Sequence, residues 1–237
     1  MLTNGYCSMT ELDSVAFELL GAISRRSYEF DLFVSEVSRN ELIKGGVLAT
    51  LLWWCWGQQE QKRDSLPVVR VVLGVFLAVA AGRVLQTTLP YRPRPMHAEL
   101  PELSLPYGVD TSGLVGWSSF PSDHAVLFFA VATGIWHLHR TAGLVAFAWT
   151  AVIICLPRVY MGLHYLTDVL TGMAVGIAIM WVCLSVPLPD RVHRLAGALQ
   201  YRHAGLMYAA AFLVTFQIAT LFHDARLFAG SLAEILH

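Results

Sequence analysis

An arginine, a histidine and an aspartate stand close together in an otherwise apolar stretch, residues 157–168. His164 and Asp168 are four positions apart, so on a helix they would share one face. The carboxylate would then hold the imidazole in one tautomer and orientation, as a nucleophilic or basic histidine requires. Arg158 adds a cation six positions before His164. The stretch therefore predicts an anion site, most simply a phosphate site.

A second polar cluster, Pro121-Ser122-Asp123-His124, precedes an apolar run and is expected to begin a helix. The exposed amides of a helix N-terminus, with the Ser122 hydroxyl beside them, suit an anion. His124 would lie at the rim and give a proton to a leaving group as general acid. The alternative is structural, because Ser122 or Asp123 would also cap a helix.

A third cluster is cationic and consists of Arg83, Arg92 and Arg94. Prolines follow Arg92 and Arg94, so both guanidinium groups stand on a stiff backbone. Arg83 lies about two turns before Pro90, within reach of the membrane interface. The alternatives are a snorkelling anchor for Arg83 and lipid-headgroup contacts for Arg92 and Arg94.

Together these residues suit phosphoryl transfer through a phosphohistidine. Arginines and helix amides would hold the phosphate oxygens, His164 would attack, Asp168 would orient it, and His124 would protonate the leaving group. Because arginines supply the positive charge, we expect neither a metal nor another cofactor, and the sequence offers no convincing metal-ligand cluster.

The elements that must position these residues are membrane helices. Hydrophobic residues make up 56% of the 237 residues and charged residues 14%, which is typical of a membrane protein. The net charge of −1 leaves no basic surface suited to nucleic acid. We predict an all-α membrane bundle in a single domain over 1–237, with six apolar spans: 42–57, 68–89, 120–136, 144–156, 169–186 and 205–222.

Two further segments flank the spans. Residues 1–40 carry charges among apolar residues, so we predict an interfacial amphipathic helix over 11–33 rather than a span or a cleavable signal peptide. Residues 96–119 form a long Pro- and Gly-containing loop, a length typical of lids and binding loops. Gly172, Ala174, Gly176 and Ala178 have a small-residue spacing that permits close helix contact. Cys55, Cys155 and Cys183 lie in apolar runs and are interpreted as packing residues.

A six-span count places the three clusters at one membrane face. Short basic turns lie at the other face and indicate the cytoplasm: Lys62/Arg63, Arg140, and Arg191/Arg194/Arg202. We therefore expect the polar site and the 96–119 loop on the periplasmic or outer side of a bacterial plasma membrane. Arg25, Arg26 and Arg39 would share that outer side, against the rule.

Three ordered motifs resemble the signatures of the type-2 phosphatidic acid phosphatase superfamily: Arg92-Pro93, Pro121-Ser122-Asp123-His124, and Arg158-x5-His164-x3-Asp168. The resemblance implies phosphate binding by Arg92, Ser122 and Arg158, a general acid at His124 and a nucleophile at His164 supported by Asp168. The family's first motif has a lysine seven positions before its arginine, where this chain has Leu85 or Thr87. Arg83, the nearest cation, is the candidate replacement.

The aspartate in the second motif is similar to that of undecaprenyl-diphosphate phosphatases of the bacitracin-resistance type. The Asp123 amide can still donate to phosphate, and its carboxylate either tunes His124 or repels a second anion. The expected function is metal-independent hydrolysis of a lipid phosphate or diphosphate, first of all undecaprenyl diphosphate. The alternatives are phosphatidic acid or phosphatidylglycerol phosphate as substrate, a lipid phosphotransferase, and a non-catalytic lipid-binding membrane protein.

Overall fold

The computed structural model describes residues 9–60, 66–98, 100, 103–187, 189–192, 194 and 203–221, and within them it is helical with no strand. The all-α prediction is therefore confirmed. We number the helices α1 (Glu11–Gly21), α2 (Tyr28–Arg39), α3 (Val47–Glu60), α4 (Leu66–Thr88), α5 (Asp123–Leu138), α6 (Arg140–Trp149), α7 (Leu156–Tyr160), α8 (Leu166–Ser185) and α9 (Ala204–Ala219). Two segments are π-helical: Leu42–Gly46 directly precedes α3, and Thr150–Cys155 joins α6 to α7.

Each of the six predicted spans contains a helix. Among the described residues, three helices are long and apolar enough to cross a membrane: Leu66–Thr88, Arg140–Tyr160 and Leu166–Ser185. Two shorter apolar helices, Asp123–Leu138 and Gly205–Ala219, accompany them. The basic residues Lys62, Arg63 and Arg202, the end of the sixth span at residue 222, and loop residues 99, 101 and 102 lie outside the described residues.

Helix α5 forms the centre of the bundle. Every residue from His124 to Ile135 is buried, because this helix is apolar on all sides below its first turn. It packs against α3, α4, α6 and α8. Cys55 and Cys155 are buried in the same core, as predicted, whereas Cys183 is half-buried.

Two glycines bring α8 close to α5. A Cβ atom on Gly172 would lie 2.6 Å from the Ser122 carbonyl oxygen, and one on Gly176 would lie 2.3 Å from that of Val126. The predicted small-residue contact is thus made by the glycines, whereas Ala174 and Ala178 on the same helix are exposed. This contact fixes the N-terminus of α5 against the N-terminus of α8, which sets the distance between the second and third motifs.

The N-terminal segment is helical but differs from the single helix predicted over 11–33. It breaks into α1 and α2 at a turn in which Arg25 has a φ of 61°. Asp31 holds the turn, because its carboxylate accepts hydrogen bonds from the Arg25 amide at 3.1 Å and from the Tyr107 amide at 2.9 Å. Tyr160 donates to the same carboxylate at 2.5 Å. The two helices therefore hold the 103–119 part of the long loop against α7.

Candidate active site

The polar motifs meet around one cavity of about 200 Å³ at the N-terminal end of α5. Its polar lining consists of Glu41, Lys44, Arg94, Asp123, His124, Arg158, His164 and Thr220. Three cations thus face two carboxylates and two imidazoles, an excess of positive charge that suits an anion. Among the described residues no group of three or more His, Cys, Asp or Glu side chains converges as a metal-ligand set.

His164 is fully buried in the turn between α7 and α8. Its Nδ1 lies 2.8 Å from the Ser119 carbonyl oxygen, which accepts the Nδ1 proton. The other nitrogen, Nε2, lies 3.2 Å from Arg94 Nη1, which identifies Nε2 as an acceptor. Burial lowers the pKa of this imidazole below its ordinary value. His164 is therefore a neutral imidazole whose Nε2 lone pair faces the cavity.

Asp168 lies beside His164, but the two residues do not share one helical face as the four-residue spacing predicts. Helix α8 begins at Leu166, so His164 precedes the helix and its Nδ1 is 3.7 Å from Asp168 Oδ2. The carboxylate instead accepts the Tyr165 amide at 2.9 Å and pairs with Arg92 Nη1 at 2.5 Å. Asp168 thus fixes the backbone that carries His164, and the direct acceptor for the imidazole is Ser119.

His124 lies on the first turn of α5 between Asp123 and Arg158. Its Nδ1 is 2.8 Å from Asp123 Oδ1, which also accepts the His124 amide at 2.8 Å. Arg158 Nη2 contacts the other ring nitrogen, Nε2. The carboxylate therefore accepts a hydrogen bond from Nδ1–H, and this contact directs Nε2 toward the cavity. Of the two roles open to Asp123, this geometry favours tuning His124, although Asp123 Oδ1 also lies 3.9 Å from His164 Nε2.

Ser122 occupies the N-cap position of α5, but its side chain makes no capping hydrogen bond. The residue is fully buried, and its Oγ finds no hydrogen-bond partner among the described residues. The Ser122 amide donates to the Asp168 carbonyl oxygen at 3.1 Å. The capping alternative therefore does not describe this serine, which ties α5 to α8 directly behind the cavity.

The two arginines of the Arg92-Pro93-Arg94-Pro95 run have different surroundings. Arg92, predicted to bind phosphate, lies away from the cavity because its guanidinium pairs with Asp168 and, at 2.9 Å, with Asp13. Arg94 lines the cavity, is 3% exposed, and donates to the Leu163 carbonyl oxygen at 2.8 Å. Of these two arginines, Arg94 rather than Arg92 lines the cavity.

Arg83 also lies away from this cavity. Its Nη1 donates to Gln86 Oε1 at 2.6 Å, and its guanidinium carbon lies 5.0 Å from the centre of the Trp117 ring. Gln86 in turn donates to the Ser118 carbonyl oxygen at 3.0 Å. Arg83 lines a separate, mainly apolar cavity beside α4 and does not line the cavity that holds His124 and His164.

Sequence reasoning missed two charged residues near the site, Asp13 and Lys44. Asp13 is fully buried and accepts hydrogen bonds from Arg92 and, at 2.9 Å, from the Thr167 amide. Burial by itself raises the pKa of its carboxyl, but the hydrogen bonds from Thr167 and Arg92 outweigh burial, so the pKa lies below its usual value. The available signal was a charged residue on an otherwise apolar helical face, which occurs at both positions.

The sequence profile of the PAP2 superfamily matches residues 67–190, more than half of the chain. The chain belongs to this superfamily and is an integral membrane protein. Bacitracin transport permease protein BcrC of Bacillus licheniformis is 26% identical over 139 residues, which cover 56% of this chain and 62% of that protein. The matched part is thus less than two thirds of that relative.

Two further comparisons agree with this family. Undecaprenyl-diphosphatase BcrC of Bacillus subtilis (strain 168) is 23% identical over 167 residues, which cover 69% of this chain and 78% of that protein. The crystal structure of Aquifex aeolicus LpxE superposes with a TM-score of 0.54 at 24% identity, over 72% of this chain and 93% of that one. The structural similarity to LpxE shows that the two proteins share a helical fold.

Proposed function

We propose that the chain is a metal-independent lipid phosphatase that acts through a phosphohistidine, with one phosphatase domain spanning the chain. The observation that supports this proposal most directly is the arrangement of His164 and His124. The Nε2 atoms of both rings face one small cavity, and each is contacted by an arginine, Arg94 or Arg158.

In the first step His164 Nε2 attacks the phosphorus of the bound phosphate. A nitrogen–phosphorus bond forms while the bond from phosphorus to the leaving oxygen breaks. The guanidinium groups of Arg94 and Arg158 stabilise the negative charge on the phosphoryl oxygens. His124 carries a proton on Nε2 when the Arg158 guanidinium has turned from that nitrogen to the phosphoryl oxygens. Held by Asp123 at Nδ1, it gives the Nε2 proton to the leaving oxygen.

In the second step a water molecule attacks the phosphohistidine. His124, now neutral, takes a proton from the water through Nε2, and the nitrogen–phosphorus bond breaks. Inorganic phosphate leaves, and both histidines return to their starting states. The Ser119 carbonyl oxygen holds the Nδ1 proton of His164 throughout, so Nε2 remains the reactive nitrogen.

The proposed substrate is a lipid phosphate or diphosphate, with undecaprenyl diphosphate first. A mainly apolar cavity of about 360 Å³ lies beside α4 and α5 and shares Asp123 and Leu221 with the catalytic cavity. It offers the lipid chain a place next to the phosphate. The names of the related undecaprenyl-diphosphatases support the diphosphate, and phosphatidic acid and phosphatidylglycerol phosphate are the competing substrates.

The proposed location is a bacterial inner membrane with the cavity on the periplasmic side. Arg140 and Arg191 lie at the opposite end of the bundle from His124 and His164. Basic residues in short turns face the cytoplasm. Arg25 and Arg39, which the rule would place there, instead donate to carbonyl oxygens of the long loop, at Leu105 and Gly108.

The test is phosphate release by the detergent-solubilised protein from undecaprenyl diphosphate and from phosphatidic acid, with EDTA present. We expect release from the diphosphate, and no release by His164→Ala or His124→Ala variants of equal thermal stability. Complete inhibition by EDTA would overturn the metal-free mechanism, and full activity of His164→Ala would remove the nucleophile. Phosphate appearing on a second lipid would identify a phosphotransferase, and binding of lipid phosphates by wild type without turnover would identify a lipid-binding protein.

A further inference from the structure

Lys44 is a buried cation that lies outside all three motifs and outside the region matched by the family profile. Its side chain is 3% exposed. It lines the catalytic cavity together with Arg94 and Arg158. It also lines a second, polar cavity of about 440 Å³, which shares Glu41 and Arg158 with the first. Lys44 therefore lies where the catalytic cavity opens toward α2 and the long loop.

The backbone around Lys44 explains why the side chain points inward. The residue belongs to the π-helical segment Leu42–Gly46, and such segments occur frequently at functional sites. Its neighbour Gly45 packs directly on α9, because a Cβ atom there would lie 2.2 Å from the Ala219 carbonyl oxygen. The Asn40 side chain accepts the Ile43 amide at 3.1 Å and fixes the start of the segment. The direction of Lys44 is thus set by the fold.

The pair with Glu41 does not account for the burial of Lys44. Lys44 Nζ donates to Glu41 Oε1 at 3.1 Å, and the Glu41 side chain is 43% exposed. A lysine–glutamate pair three positions apart contributes little when solvated, whereas burying an ammonium group is costly unless the site uses the charge. An ammonium group has three N–H donors, so the hydrogen bond to Glu41 leaves capacity for an anion in the cavity.

We propose that Lys44 is a phosphate-binding residue, the third cation of the site after Arg94 and Arg158. It would hold an oxygen of the substrate phosphate from the α3 side, whereas Arg94 comes from the loop after α4 and Arg158 from α7. This assignment rests on the proposed function and deepens it. Lys44 would supply, from another part of the chain, the positive charge that Leu85 or Thr87 lacks at the position of the family lysine. Arg83, which contacts Gln86 and Trp117, then lies outside the site.

The experiment measures binding of orthovanadate, a phosphate analogue, by its effect on the thermal unfolding of the full chain in detergent. Lys44→Met keeps the length of the side chain and removes the charge, and the partly exposed side chain of Glu41 can then turn to water. We expect the dissociation constant for vanadate to rise roughly tenfold or more, the loss of one charge-assisted hydrogen bond. Arg83→Met, the matched control, is expected to bind vanadate as the wild type does.

Lys44→Gln serves as a second variant if Lys44→Met does not fold. Glu41→Gln removes the partner of Lys44 and a negative charge, so we expect vanadate to bind it at least as tightly as the wild type. Equal vanadate affinity in wild type and the Lys44 variants, a loss confined to Arg83→Met, or no binding by wild type would each overturn the assignment. A wild type that binds vanadate through Lys44 and releases phosphate from no lipid would instead contradict the proposed function.

Discussion

Arg92 and Arg94 are two positions apart, each precedes a proline, and they have different partners. Arg92 neutralises Asp13 and Asp168, two fully buried carboxylates that its removal would leave without their guanidinium. Arg94 contacts His164 Nε2, and its Nε finds no hydrogen-bond partner among the described residues. We therefore separate a stabilising role for Arg92 from a phosphate-binding role for Arg94.

Replacing each arginine by methionine tests this separation. We expect Arg94→Met to lower kcat/KM by about 100-fold or more with little change in thermal stability, because it removes charge that stabilises the transition state. We expect Arg92→Met to lower the free energy of unfolding by roughly 3 kcal/mol, the usual effect of breaking a buried ion pair. Thermal unfolding and phosphate release measure both variants. Loss of activity in Arg92→Met and loss of stability in Arg94→Met would instead assign phosphate binding to Arg92.

The buried imidazole of His164 predicts a dependence on pH. Its pKa in the folded protein is lower than the ordinary value of 6.5, so the unfolded chain binds the proton more tightly. The free energy of unfolding should therefore fall as the pH drops below 6.5, whereas above that value both states are neutral and this contribution is constant. We expect His164→Gln, measured by thermal unfolding from pH 5 to 8, to weaken this dependence. An unchanged slope in the variant would contradict the prediction.

At the scale of the elements, the site depends on how closely α5 and α8 approach. Helix α5 carries Asp123 and His124, and the turn before α8 carries His164. Gly172 and Gly176 let the two backbones come into contact. The Ser122 amide donates a hydrogen bond to the Asp168 carbonyl oxygen at the same place. A larger residue at either glycine would push the two histidines apart.

Gly176→Ala tests this contact. The new Cβ atom would meet the Val126 carbonyl oxygen at 2.3 Å, so we expect a loss of about 1–3 kcal/mol in the free energy of unfolding together with reduced activity. Gly57→Ala, on the exposed face of α3 with nothing within 4 Å of its Cβ position, is the control. Its helix propensity should raise stability by about 0.8 kcal/mol. Equal effects of both variants on thermal unfolding would rule out the close contact.

The sequence predicted the helical class, the places of the six apolar helices and the convergence of the second and third motifs, since these follow from hydropathy and local spacing. It assigned phosphate binding to Arg92 rather than Arg94, because the partner of Arg92, Asp13, lies 79 positions away and gives no local signal. It assigned Asp168 to His164 by assuming a helix that begins only at Leu166. Ser119 accepts from His164 through its backbone, which no side-chain pattern reveals.

At the scale of the whole molecule, the proposed orientation places the cavity and the long loop on one side of the membrane. The turn between α1 and α2 donates hydrogen bonds to this loop through Ser24 and Arg25, and α2 does so through Arg39. The N-terminal segment therefore belongs to the same side. Arg70 near the start of α4 donates to the Leu184 carbonyl oxygen at the end of α8, and both therefore mark the other side. The bundle thus has two chemically distinct ends.

Two exposed threonines report on the orientation, Thr111 on the loop and Thr141 at the start of α6. In a variant whose cysteines are all replaced by serine, we expect a membrane-impermeant maleimide to label Thr111→Cys in cells with a permeable outer membrane. Thr141→Cys should react only after the inner membrane is opened, because the basic turn at Arg140 is retained in the cytoplasm. The opposite labelling would place the site in the cytoplasm, where it would meet lipid phosphates of the inner leaflet instead of those released outside.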